Sequence, residues 1–199
     1  MRIAVASVLV TLGLALSGCA TTDGNTASAC ADMIAPGSSL DMNLKAHPAR
    51  SHCAKFQDTA GHPGTELRIQ LKLDPTVSWN TAGSGFAPEQ SVLINRYDQN
   101  FGKPEMPDQT KLINGFQSSL LNTSVPVMLG NARVPATAFR LDDIDSKVTW
   151  ACLYAATTGA KGTPSEAILC RTVGRGAKDA DAVKAANDIA AEDFPAIRP

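Results

Sequence analysis

Two cysteines on either side of a glycine-rich segment constrain the C-terminal half of the chain. Apolar residues alternate along Val148–Thr158, and residues 165–173 are rich in apolar and β-branched side chains, which is typical of two paired strands. A hairpin symmetric about Lys161 places Cys152 directly opposite Cys170. Opposed strand positions have Cα atoms about 4.5–5.5 Å apart, a distance that a disulfide can join. The register therefore predicts a bridge between these two cysteines.

The N-terminus has the organisation of a secretory signal. Arg2 precedes residues 3–16, which carry no charge and are too few to span a bilayer as a helix of about 20 residues. The run ends in Leu16-Ser17-Gly18-Cys19, and this motif resembles the lipobox of bacterial lipoproteins. The resemblance implies cleavage before Cys19 and diacylation of its sulfur, with a third acyl chain on the new amine in many bacteria. The alternative is an ordinary signal peptide with an incidental cysteine.

Lipidation decides the expected location and organisation. Two or three acyl chains give stable attachment, because each buried CH₂ contributes about 0.8 kcal/mol and one chain alone is marginal. Within the lipoprotein family, Ala20 in place of Asp argues against retention at the inner membrane. We therefore expect an outer-membrane anchor, with the domain facing the periplasm or the cell surface. The predicted organisation is a signal peptide over 1–18, a lipidated flexible tether over 19–29 and a single domain over 30–199.

Charge and composition exclude several classes of protein. The 18 basic residues stand against 19 acidic ones, whereas a nucleic-acid surface needs a basic excess. Loss of residues 1–18 removes Arg2 alone among the charged residues, so the mature chain is mildly acidic. A hydrophobic content of 44% in 199 residues suits one ordinary domain and excludes a collagen-like, coiled-coil or wholly disordered chain.

The five cysteines resolve into one acylated residue and four others. An even number in an oxidising compartment favours two disulfides over free thiols. Three connectivities are open, and we favour Cys30–Cys53 together with Cys152–Cys170. A zinc site is disfavoured because no C-x₂-C pair occurs.

The remaining patterns predict an α+β fold, with an antiparallel sheet, two main helices, two disulfides and a loop-rich N-terminal segment over 32–55. Residues 66–73 alternate strictly between apolar and polar side chains, which indicates a strand with its polar face in solvent. Helices are predicted over 108–122 and 179–194. Val183 is expected on the apolar side of the second. The other strand candidates are 76–80, 91–97, 125–129 and 132–141, the last two joined by a tight turn at Gly130-Asn131.

The order of elements over the last 70 residues or so, a hairpin with a turn, two long strands and a closing helix, resembles the layout of PsbP-like α/β/α sandwiches. No motif accompanies the resemblance, and no function is transferred from it. Pro135 favours an edge strand or a bulge at its position.

Histidines and aspartates offer candidate metal ligands. His47, His52 and His62 fall within 16 residues, with Asp58 among them, a set that zinc or copper can use. Because two of these histidines precede proline and no ligand spacing recurs, solvated loop histidines are favoured and no metal is assigned. The acidic group Asp142, Asp143 and Asp145 lacks the glycine and distal glutamate of an EF-hand, so a solvated turn is favoured over a Ca²⁺ site.

The glycine- and serine-containing segments do not match known catalytic motifs. Gly83-Ser84-Gly85 does not fit the G-x-S-x-G elbow, and the glycine-rich segments 158–163 and 174–178 do not fit a phosphate loop. Aromatic residues could line a glycan or peptide groove, but two of them share a predicted strand face with Cys152, which favours core packing. These aromatic residues are Trp79, Tyr97, Trp150 and Tyr154, of which the last two share that face.

The sequence thus predicts a non-enzymatic, outer-membrane-anchored lipoprotein whose disulfide-stabilised domain is a binding or assembly module of the cell envelope. Its expected partners are the membrane, through Cys19, and an envelope protein, with no nucleic acid and no cofactor. The alternatives are an envelope hydrolase with a spatially assembled His/Asp/Ser site and an inhibitor or immunity-type protein. A concave site joining a histidine to a carboxylate or hydroxyl favours the hydrolase, and a flat apolar patch favours a partner protein.

Overall fold

A single antiparallel sheet of seven strands dominates the computed structural model, which describes residues 30–70, 91–106, 115–158 and 162–198. No helix among these residues is both long and apolar enough to cross a membrane. In chain order the elements are α1 (Ser39–Ala46), β1 (Ser51–Gln57), β2 (Pro63–Ile69), β3 (Val92–Tyr97), β4 (Phe116–Leu129), β5 (Ala132–Asp143), β6 (Val148–Thr158), β7 (Pro164–Arg175) and α2 (Asp179–Glu192).

The strands lie in the order β1-β2-β3-β7-β6-β5-β4, and every neighbouring pair is antiparallel. The antiparallel sheet and the two disulfides agree with the prediction. Two helices are present, as predicted, but only the second lies where a helix was predicted. Strands hold far more of the described residues than helices do, so the molecule is mostly sheet and the α+β label fits it only loosely.

The β6–β7 hairpin has the predicted register. Cys152 pairs with Cys170 and Thr158 with Pro164, so paired positions are symmetric about residue 161. The two cysteines form a disulfide with a Cα–Cα distance of 4.1 Å. Alternation of apolar side chains and the turn residues between the strands were therefore sufficient to fix this pairing.

The N-terminal segment is more ordered than predicted. The second disulfide, Cys30–Cys53, holds it against β1 as expected. Residues 32–55 are nevertheless not a loop, because they contain α1, a 3₁₀ turn and the beginning of β1. Ser38 caps α1 by accepting a hydrogen bond from the Asp41 backbone N–H (3.2 Å), and Asp41 forms an i,i+4 ion pair with Lys45 (2.8 Å). These local interactions offset the proline and glycine residues nearby.

Helix α2 covers one face of the sheet across β4 to β7. Ala182, Ala186 and Ile189 are buried there, and the following turn buries Phe194. The predicted helix is confirmed, but Val183 is exposed, so the apolar stripe is one position narrower than expected. Small alanine side chains let the helix approach the sheet closely, where it meets Leu153 of β6 and its neighbours in one core.

The helix predicted over 108–122 is wrong for its second half. Residues 107–114 lie outside the described part of the chain, and Phe116 onwards forms β4. Leu121 packs against the core on the α2 side, while its neighbour Leu120 lies on the opposite face and is exposed, as alternation along a strand requires. Two adjacent leucines on opposite faces of an irregular strand imitate the i, i+4 spacing of a helix.

The hairpin predicted around Gly130-Asn131 is confirmed, with Leu129 of β4 paired to Ala132 of β5. Pro135 is not on an edge strand, because β5 lies between β4 and β6. Its pairing with β6 begins at Thr137, so the proline occupies a position outside that ladder and no N–H is needed there.

Strand β2 departs from the prediction on its polar face. The strand and its apolar side are confirmed as far as Ile69, and 91–97 is confirmed as a strand by β3. Glu66, Arg68 and Gln70, however, are buried, so both faces of β2 are covered. Residues 71–73 and the candidate strand 76–80 lie outside the described residues.

Removal of the β6–β7 bridge should destabilise the protein strongly. The double substitution Cys152→Ala with Cys170→Ala opens a loop of 18 residues, so the free energy of unfolding should fall by about 3 kcal/mol in urea denaturation. Cys30→Ala with Cys53→Ala opens a loop of 23 residues and is the matched control for loop length, with a similar expected loss. Non-reducing peptide maps should show the same two linkages, and a peptide joining Cys30 to Cys152 would contradict the register.

Candidate functional site: a buried carboxylate cluster

Polar side chains form a buried group on the face of the sheet opposite α2. Glu66 of β2 pairs with Asn95 of β3, and Asn95 pairs with Glu166 of β7, so the three side chains leave the sheet on the same side. Residues two positions away along each strand share that side. We call this group the carboxylate cluster, and its members are Glu66, Arg68, Asn95, Tyr97, Tyr154 and Glu166.

Glu166 is the centre of the cluster. Its Oε1 accepts hydrogen bonds from Nδ2 of Asn95 and from the Tyr97 hydroxyl, each at 2.9 Å. Its Oε2 accepts one from the Tyr154 hydroxyl, also at 2.9 Å. Glu166 is only 6% exposed, so these three donors, two from β3 and one from β6, replace the water that a carboxylate otherwise binds.

The two tyrosines act as donors and not as acids or bases. Burial, followed by the charge of Glu166 and the hydrogen bond to it, raises the pKa of both Tyr97 and Tyr154 far above the ordinary tyrosine value. Ionisation would place a second negative charge beside a buried carboxylate. Both hydroxyls therefore keep their protons at any pH at which the protein works.

A second buried charge is neutralised within β2. Arg68, 2% exposed, binds the Glu66 carboxylate through two nitrogens, with Nη2 at 3.1 Å from Oε2. The bidentate geometry gives each charged group two charge-assisted hydrogen bonds within the protein. The cluster as a whole then holds two carboxylates and one guanidinium, which explains why the other side chains around Glu166 present donors.

A loop after β3 closes the cluster toward the β1–β2 turn. Phe101 in this loop stacks on the His62 ring (centroids 3.8 Å apart, planes at 6°) and meets Tyr97 edge-on at 4.8 Å. Further along, the Pro104 carbonyl lies 3.3 Å from the Tyr154 hydroxyl. We call residues 98–106 the cover loop, because these contacts place it over the Glu166 side of the cluster.

The β1–β2 turn contains a histidine–carboxylate pair. Nδ1 of His62 lies 2.9 Å from Oδ2 of Asp58, whose other oxygen accepts the backbone N–H groups of Ala60 and His62. Partial burial raises the pKa of Asp58, but the backbone and ring hydrogen bonds from His62 and the N–H of Ala60 outweigh it and lower the pKa overall. The aspartate thus orders the turn and fixes the imidazole that supports Phe101.

The three histidines do not converge. His47 follows the end of α1 and is exposed, His52 lies on β1 opposite Arg68, and His62 lies in the turn beyond the other end of β1. Among the residues that the structure describes, no three His, Cys, Asp or Glu side chains group as metal ligands.

The aspartates near the β5–β6 turn have structural partners. Arg140 donates to Asp142, to Asp179 at the start of α2 and to the Ala177 carbonyl (3.2 Å), beside an open cavity of about 260 Å³. The pKa of Arg140 is raised chiefly by its bond to Asp142. Asp143 accepts backbone N–H groups within the predicted turn. This group ties the beginning of α2 to β5.

Comparison with known proteins assigns no family to this chain. No family model, curated protein or solved structure matches the chain.

Sequence reasoning missed the centre of the cluster. Glu66, Asn95 and Glu166 were not singled out, although each lies within an apolar strand pattern, a position that itself signals a buried polar group. Tyr154 lies in the core as predicted, and Trp150 packs edge-on against Phe116 at 5.4 Å. The candidates Trp79 and 83–85 lie outside the described residues, as does Cys19.

Substitution of Glu166 tests the structural role of the cluster. Glu166→Gln places N–H groups opposite other donors and removes charge-assisted hydrogen bonds, so the free energy of unfolding should fall by about 3 kcal/mol in urea denaturation. Glu192→Gln makes the same chemical change at an exposed ion pair with Arg171 and should cost at most about 0.5 kcal/mol. Equal losses in the free energy of unfolding for the two variants would show that the buried cluster stabilises the fold no more than an exposed ion pair does.

The Asp58 turn should give a pH-dependent contribution to stability. Because folding lowers the pKa of Asp58, its contribution is present above the unfolded value of about 3.9 and is lost as pH falls through the folded value. The difference in urea midpoint between wild type and Asp58→Asn should shrink below about pH 4. Asp188→Asn, on the surface of α2, controls for loss of an acidic charge. A difference that stays constant with pH would contradict the assignment.

Proposed function

We propose that this chain is a lipid-anchored protein of the bacterial cell envelope, held at the outer membrane, whose domain binds a partner and does not catalyse a reaction. The observation that carries the proposal is that the charged and hydroxyl groups of the carboxylate cluster are engaged with one another. Glu166 accepts three internal hydrogen bonds, Glu66 is paired with Arg68, and both tyrosines retain their protons. Groups engaged in this way maintain the shape of a domain.

Two further features support an envelope location. The disulfides Cys30–Cys53 and Cys152–Cys170 suit an oxidising compartment. The lipobox-like motif ending at Cys19 supplies the anchor. A binding module on a short tether needs a stable surface more than a reactive site, and two disulfides together with a buried, hydrogen-bonded polar cluster contribute to that stability.

A hydrolase is the second candidate, because the Asp58–His62 pair has the geometry that orients a catalytic histidine. The stacking on Phe101 gives the same ring a packing role. A fluorophosphonate probe on the lipidated protein separates the two functions. A hydrolase predicts covalent labelling of a serine that is abolished in His62→Ala, whereas the binding module predicts no labelling in either protein.

The anchor is tested by substitution of the acylated cysteine. Cys19→Ala should abolish incorporation of labelled palmitate and move the protein to the aqueous phase in detergent phase partitioning, because one residue carries all the acyl chains. Ala20→Asp keeps that cysteine and should shift the protein to the inner-membrane fraction, as the family resemblance implies. Unchanged partitioning of the Cys19→Ala protein would remove the basis of the proposal.

A further inference from the structure

The β4–β5 hairpin exposes apolar side chains on the face away from α2. Pro126 pairs with Pro135 and Met128 with Arg133, and all four are exposed, whereas Val127 between them is buried on the α2 side. Met128 is 40% exposed. We call these four residues and the turn that joins the strands the hairpin tip.

Strand β4 is also unusual for the last strand of a sheet. Its 14 residues, Phe116–Leu129, include no charged side chain, although charges commonly protect such edges from unwanted pairing. Leu120 adds a further exposed apolar side chain on the same face as Met128. Exposed apolar groups that recur on one face mark a surface that contacts something else.

The first described residues are hydrogen-bonded to the segment that contacts this hairpin. The backbone N–H of Gly130, in the hairpin turn, donates to the Ile197 carbonyl at 2.9 Å, and the next residue, Arg198, donates to the Met33 carbonyl at 2.8 Å. Met33 in turn donates to the carbonyl of Cys30 at 3.0 Å. Three backbone hydrogen bonds therefore link the hairpin turn to Cys30, the first residue after the predicted tether.

The length of the tether limits the position of the hairpin. Residues 20–29 separate Cys19 from Cys30, and a fully extended chain of this length reaches about 35–40 Å. Strand β4 alone is about 45 Å long at 3.3 Å per residue, so the tether cannot carry the domain more than about one domain length from the lipid headgroups.

Charge at the hairpin tip is complementary to a membrane surface. Arg133 in the tip and Arg198 beside its turn are both exposed and basic. Asp32, close to the tether entry, is neutralised by Arg96 at 2.9 Å. Basic side chains next to exposed methionine and proline suit an interface of anionic headgroups and acyl chains.

We infer that the hairpin tip contacts the bilayer that holds the acyl chains and thereby sets the orientation of the domain on the membrane. The inference rests on the proposed lipidation of Cys19. It assigns the apolar exposure of Met128, Pro126 and Pro135 to lipid, and it leaves the opposite end of the sheet, at the β5–β6 turn, directed away from the membrane. That end is then the part of the domain presented to other molecules.

Photo-crosslinking of the full-length, acylated protein tests this orientation. Benzoylphenylalanine replaces Met128 in one variant and Ile144 in the other, and each protein is reconstituted in vesicles of phosphatidylethanolamine with a minority of phosphatidylglycerol. Ile144 is the matched control, since it is apolar, 53% exposed and located in the turn at the opposite end of the hairpin strands. Both positions are exposed, so neither replacement disturbs the core.

The expected result is several-fold more lipid adduct at position 128 than at position 144, measured by mass spectrometry. Equal yields would overturn the inference, and so would adducts at position 128 with a second copy of the chain or with another protein. The mass of the N-terminal peptide is determined in the same samples. A chain without acyl groups would overturn the proposed anchor and the inference together, whereas an acylated chain with equal yields would overturn the orientation alone.

Discussion

The pairing of β6 with β7 is the interaction on which the rest of the sheet depends. Strand β7 lies between β3 and β6, so any shift in its register would move both halves of the sheet. A shift of one residue turns every side chain to the other face. With Cys152 fixed opposite Cys170, Leu153 and Leu169 meet the core under α2, while Glu166 and Tyr154 emerge together on the opposite face.

Burial of Glu166 then determines what can surround it. A carboxylate removed from water is strongly destabilising unless donors replace the lost hydration. Asn95 and Tyr97 come from β3 and Tyr154 from β6, so the requirement for donors joins three strands around one acceptor. The cover loop adds packing against Tyr97 through Phe101. These contacts engage the carboxylate with donors from within the protein, and this is the observation on which the proposed binding function rests.

Sequence patterns predicted the elements whose determinants are local. The β6–β7 hairpin has its alternation and turn within about 30 residues, and α2 has its apolar stripe within one helix. The polar face of β2 and the strand β4 could not be predicted in this way. Glu66 appears solvent-facing unless its neighbours from β3 are known, Asn95 and Glu166 are 71 positions apart, and an irregular strand imitates helical spacing in β4. The centre of the candidate site was missed because its chemistry exists only between distant segments.

On the face of the sheet away from α2, the strands of the carboxylate cluster and the β4–β5 hairpin differ for a geometric reason. Strand β5 pairs with β6 only from Thr137 onward. The part of the β4–β5 hairpin next to its turn therefore has no pairing with β6 and lies beyond Tyr154, the member of the cluster nearest to it. There Pro126 and Pro135 face each other, and neither has a backbone N–H to donate across the sheet. On this face of the sheet, the polar network of β2, β3, β6 and β7 is covered, whereas the apolar hairpin tip of β4 and β5 is exposed. Through Ile197, Arg198 and Met33, backbone hydrogen bonds link the turn of that tip to Cys30, so the open end of the sheet is also the end at which the described part of the N-terminal segment begins.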